Sequence, residues 1–234
     1  MAPRTQPEQH PPPVQWLRLR YARRGRARFT SHRDFSRAFE RALRRAGVPM
    51  AYSSGFSPHP RISYANASPT GAASEAEFAE IGLTVACDPE QIRVALDAAL
   101  PDGLDIVAAQ VAPGDTLADR LTGSRWQIDV LGVEPTVTEG AVATFLARDE
   151  VEVSRMTKSG LRTFDARGAV RDLRAEPGRL IATIAHQVPL VRPDDLLAAL
   201  AEVEPAWRPT HPPLLTRLVQ GTLDESTGAI AAPL

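Results

Sequence analysis

Apolar and basic residues alternate in WLRLRY (16–21), with Leu17, Leu19 and Tyr21 on one face and Arg18 and Arg20 on the other. That is the period of a half-buried strand. The period then changes. Between residues 32 and 46, Phe35, Ala38, Phe39, Ala42, Leu43 and Ala46 share one arc of a helical wheel, and Arg33, Arg37, Arg41, Arg44 and Arg45 fill another. Ser31 stands at the N-cap with Asp34 at the third helical position, and Gly47 follows the last turn. Beyond it come a strand (RISYAN), a second strand (EFAEIGLTV), a helix (DPEQIRVALDAAL) and a third strand (LDIVAAQV). The order βαββαβ predicts a ferredoxin-like arrangement.

The second half repeats the pattern. RWQIDVLGV reads as a strand, EGAVATFLA as a short helix and VEVSRM as a strand, followed by a basic excursion, TKSGLRTFDAR. RLIATIAHQV is then a strand, RPDDLLAALAEV a helix opened by Pro193 and two acids, and LLTRLVQG a last strand. The polar, glycine-bearing segment 113–124 separates the halves. The expectation is an α+β fold of two tandem ferredoxin-like units, 15–112 and 125–220, between a disordered proline-rich stretch (1–14) and a tail (221–234).

Composition adds boundaries. Hydrophobic residues make up 43% and charged residues 24% of the 234, as in a globular protein. No apolar run is long enough to cross a bilayer, and MAPRTQPEQHPPP lacks the apolar core of a signal peptide. One cysteine, Cys87, leaves no internal disulfide framework and points to a reducing, cytoplasmic setting. The net charge of −1 conceals a segregation: residues 1–62 hold 13 arginines against three acids, and acids dominate the remainder. A basic half of this kind calls for an anionic partner.

Within that half the arginine stripe of the helix is the first candidate site. Its bland alternative is a solvated face. Arg18, Arg20, Arg23, Arg24, Arg26 and Arg28 precede it and are expected to extend it. Phe29, Tyr52, Phe56 and Tyr64 lie near enough in sequence to offer stacking surfaces for unpaired bases. The second candidate is YSSGFSPHPR (52–61), where Pro58 and Pro60 bracket His59 and stiffen the loop that presents it. His59, Arg61 and Ser63 fall on one side of the following strand, with Ile62 and Tyr64 toward the core. His59 and His32 are candidates for general acid–base chemistry, for ligand contact, or for plain structural hydrogen bonds. The basic excursion from Arg155 through Lys158 and Arg162 to Arg167 forms a weaker second patch, with a solvated hairpin as its bland alternative. No cysteine or histidine spacing suits a metal, and no phosphate-loop or nucleophile-elbow motif occurs.

The run RFTSHRDFSRAFERALRRAGVPMAYSSGFSPHPRISYA, continued by the S-x-x-E of SEAEF, resembles the radical-SAM-linked protein family, a domain of unknown function. Its pattern is an SH-x-D turn, an arginine-rich helix ending RRAG, and a GF-x-PHP loop. Arg33 stands where that family has an apolar residue, and ASPTG replaces a more apolar segment. The resemblance implies association with a radical SAM enzyme, with RNA or ribosome-related modification as the setting. Such an enzyme holds its iron–sulfur cluster on three cysteines. With one cysteine in this chain, the cluster and S-adenosylmethionine are expected on a partner polypeptide, with no cofactor here. The leading expectation is therefore an RNA-binding accessory module with no activity of its own. The alternatives are a ferredoxin-like RNA endonuclease using His59 or His32, and a scaffold whose arginine face docks an acidic protein.

Overall fold

The computed structural model describes residues 9–157 and 160–234. The expected disorder of 1–14 falls partly outside them. The described residues form two compact units, one ending at Ala118 and the other running from Asp119 to Pro233. The fold is α+β, with four α-helices among the described residues.

In the first unit β1 (Gln15–Arg23) leads through a short 3-10 turn to α1 (His32–Arg45), then β2 (Ile62–Ala65), β3 (Ala73–Leu83), α2 (Pro89–Ala99) and β4 (Leu104–Val111). β4 pairs with β1, β1 with β3, and β3 with β2, every pairing antiparallel. Leu17, Leu19 and Tyr21 of β1 meet Ala79, Ile81 and Leu83 of β3 under Phe35, Phe39 and Leu43 of α1 and Leu96 of α2. Tyr21 stacks on Phe35 at 4.5 Å between ring centres. The alternation of WLRLRY thus does place its apolar face on the core. Gly103 has φ +84°, and a Cβ there would stand 2.7 Å from the Arg24 carbonyl, so the turn into β4 admits glycine alone without strain.

The second unit runs β5 (Gly123–Asp129), α3 (Pro135–Leu146), β6 (Glu152–Thr157), β7 (Gly160–Asp165), β8 (Val170–Glu176), β9 (Arg179–Ala185), α4 (Pro193–Val203), β10 (Leu214–Leu223) and β11 (Ile230–Ala231). Its sheet is ordered β10-β5-β9-β8, antiparallel throughout, with β11 at the end of β10. Here the structure corrects the sequence reading. VEVSRM is a strand, but it pairs with β7 as a separate hairpin. The sheet position expected for it is taken by VRDLRAE of β8, which pairs with β9. β8 sits at the end of the order and buries little beyond Val170 and Leu173, so its charges hide its strand character from a hydrophobic period.

Candidate functional site

α1 begins where the sequence places it. The Ser31 hydroxyl accepts from the Asp34 amide at 3.2 Å and donates to its carboxylate at 2.7 Å. The helix buries Phe35, Phe39, Ala42 and Leu43 and closes on Gly47 at φ +65°. Opposite, Arg33, Arg37, Arg41 and Arg44 are all exposed, and none makes a hydrogen bond or ion pair among the described residues. Arg45, also exposed, donates to the Ala99 carbonyl at 3.1 Å and so ties α1 to α2. Like charges three and four residues apart destabilise a helix by about 0.2–0.5 kcal/mol per pair. The fold gains nothing visible from this face, whereas an anion laid along it would relieve the repulsion.

The arginines ahead of the helix behave differently, and the expectation that they extend the patch is corrected. Arg18 is fully buried, bonded to Glu80 at 2.9 Å and Asp115 at 2.7 Å. Arg23 is buried as well and donates to the carbonyls of Ser68, Arg28 and Thr30. Arg24 is held by Glu75 and Asp105. Arg28 reaches the Gly71 carbonyl at 2.6 Å, and Arg20 is half-buried. Only Arg26 of this group is exposed without a partner among the described residues. These guanidiniums serve as multi-donor braces for loop carbonyls and carboxylates, a use the sequence cannot distinguish from phosphate binding.

The PHP loop is closed at its neck by backbone bonds. Tyr52 bridges Pro60, the Ser53 amide donates to the His59 carbonyl at 2.8 Å, and the His59 amide donates to the Ser53 hydroxyl at 3.0 Å. Gly55 turns the tip at φ +121°. Phe56 is 67% exposed at that tip, and the His59 imidazole is exposed with no hydrogen-bond partner among the described residues. Tyr52 is half-buried, and Arg61 donates to its carbonyl at 3.3 Å. Tyr52, Phe56, His59 and Arg61 are therefore parts of one braced loop.

His32 is placed apart from that loop in its contacts. Its exposed ring meets Tyr64 edge-on at 5.0 Å, and Tyr64 in turn packs against Phe35 and Phe39. Tyr64 is half-buried against the core, and burial pushes its hydroxyl up to about 12, so less of its ring is open for stacking. Phe29 and Phe56 remain exposed. Neither histidine has a carboxylate bonded to its ring among the described residues. In the second unit Arg162 is exposed opposite Arg155 on the hairpin, while Arg155 pairs with Asp195 and lies 5.0 Å over the Phe164 ring. Lys158 lies outside the described residues.

Sequence reasoning missed a cleft of about 770 Å³ in the first unit, lined by Trp16, Ser63, Glu80 and Asp115 among others. Its residues come from four separated segments, so no local motif announces it. Among the described residues no group of three or more histidine, cysteine or acidic side chains gathers closely enough to hold a metal ion.

Residues 16–193 match the family DUF2344, described as an uncharacterized protein conserved in bacteria. The chain belongs to that family. The DUF2344 match takes in α1, the PHP loop, the cleft lining from Trp16 onward and the β6–β7 hairpin, and reaches the start of α4. The description of DUF2344 names no substrate and no partner enzyme. No curated protein matches the chain. A crystal structure of an unknown protein from Galdieria sulphuraria is similar over 89% of this chain and 99% of that one, at 17% identity and a TM-score of 0.26. No helix among the described residues is long and apolar enough to cross a membrane.

Proposed function

We propose that this chain is an RNA-binding accessory module, built of two ferredoxin-like units, that presents RNA to a separate radical SAM enzyme. The observation that carries the RNA reading is the set of four exposed, unpartnered arginines on α1, an array spaced along one helix face with no structural use. Arginine forks suit phosphate oxygens, and the exposed rings of Phe29 and Phe56 offer stacking surfaces beside them in sequence. The ferredoxin-like reading is supported by the matching strand orders, β4-β1-β3-β2 and β10-β5-β9-β8. The radical SAM partner rests on the motif resemblance alone.

The decisive experiment is binding of single-stranded RNA across a salt series. Four phosphate contacts give a slope of roughly −3 in log affinity against log salt. Arg37→Glu with Arg41→Glu should flatten that slope and weaken binding severely. Tight binding that ignores salt, or none at all, would reject the RNA reading. Pull-down from the native host, with mass spectrometry for an iron–sulfur partner, tests the association separately.

A further inference from the structure

The cleft in the first unit lies on the sheet face turned away from α1 and α2. Trp16 and Arg18 alternate with the core residues Leu17 and Leu19, Glu80 is opposite Arg18, and Ser63 is opposite Glu80. The segment after β4 forms another wall, and Arg18 ties it down through Asp115. At about 770 Å³ the space is in the range of small-molecule sites, roughly 300–1,000 Å³.

Its chemistry is the reverse of the helix face. One guanidinium, Arg18, serves two carboxylates, bonding Oε1 of Glu80 and Oδ1 of Asp115. Burying an arginine completely costs several kcal/mol unless it is well paired, and here the pairing also fixes both cleft walls. Oε2 of Glu80 and the hydroxyls of Ser63 and Thr116 have no partner among the described residues. The cleft thus offers acceptors and an indole and disfavours phosphate. A flat ring with adjacent N–H donors fits that description. Among the nucleobases guanine presents two such donors side by side, N1–H and the 2-amino group, for which Oε2 of Glu80 and the Ser63 hydroxyl opposite it supply two acceptors.

We propose that this cleft holds one guanine base, stacked against Trp16 and read by Glu80, with Ser63 assisting. The inference deepens the RNA reading, in which α1 takes phosphates and the cleft takes one unpaired base. The test compares the full chain binding a short oligouridylate and the same oligomer with one central guanosine. The guanosine oligomer should bind about tenfold tighter, as one well-made base contact allows. Glu80→Gln should erase that preference and leave oligouridylate affinity and its salt slope unchanged. Because Glu80 also braces Arg18, a second measurement is needed: GMP should quench tryptophan fluorescence in the wild-type chain and not in Trp16→Phe. Equal affinity for the two oligomers without quenching by GMP, or a preference for another base, overturns the proposal even if oligouridylate binds. Quenching by GMP with no oligouridylate binding keeps the guanine site and removes the RNA reading.

Discussion

Two kinds of arginine coexist in the first sixty residues, and their substitution should separate them. Arg18 is fully buried between Glu80 and Asp115. Arg18→Met leaves both carboxylates without their cation and should cost about 3–5 kcal/mol in urea denaturation. Arg33→Met, on the exposed face, should change stability by about 0.5 kcal/mol or less. Equal effects would mean that burial does not divide these residues. His186 supplies a pH test. Its Nδ1 donates to the Leu121 carbonyl at 2.6 Å, so Nε2 accepts from the Ser124 hydroxyl at 3.0 Å, and Ser124 accepts from the Trp126 indole at 2.8 Å. The neutral ring satisfies both of these bonds. Burial, opposed by the Leu121 carbonyl and aided by the Arg217 charge, holds the imidazole below its ordinary value. The unfolded chain therefore takes up the proton first. Stability is fully present above about 6.5, the ordinary histidine value, and is lost as pH falls below it toward the lowered folded value. Thermal denaturation at stepped pH should show that loss in the wild type and a smaller one in His186→Gln.

At the scale of elements, α1 was the most legible part of the chain, because cap, period and terminating glycine agree. Its Ser31 cap should be worth about 1 kcal/mol, read as the loss in Ser31→Ala. The prolines that bracket His59 were legible in the sequence, but the closed neck was not, since it depends on the bridge between Tyr52 and Pro60. If the loop serves a ligand, His59→Ala and Pro60→Ala should weaken RNA binding more than stability. A fold loss of several kcal/mol in His59→Ala, with unchanged binding per folded molecule, would make the loop a structural lock. β8 was not legible. A strand at the end of a sheet needs few apolar residues, and its pairing with β9 is set by backbone bonds that carry no sequence signature.

At the scale of the whole molecule, this sequence lacks the three cysteines that a radical SAM iron–sulfur cluster needs. With Cys87 as the single cysteine, a purified monomer should carry no stoichiometric iron and sulfide and should not cleave S-adenosylmethionine alone. Metal analysis and a cleavage assay check this, and iron at stoichiometry would require ligands shared between copies. By itself the sequence determined the α+β class, the start and polarity of α1 and the apolar face of β1, because each follows from local period or capping. The tertiary structure alone decided that Arg18 and Arg23 are buried while Arg37 and Arg41 are not, that VEVSRM belongs to a hairpin, and that Trp16, Ser63, Glu80 and Asp115 line one cleft. Alternation shows which side of a strand a residue faces but not what covers that side. Glu80 lies 62 residues from Arg18 and Asp115 lies 97 away, and only the folded chain brings those carboxylates to the guanidinium they pair with.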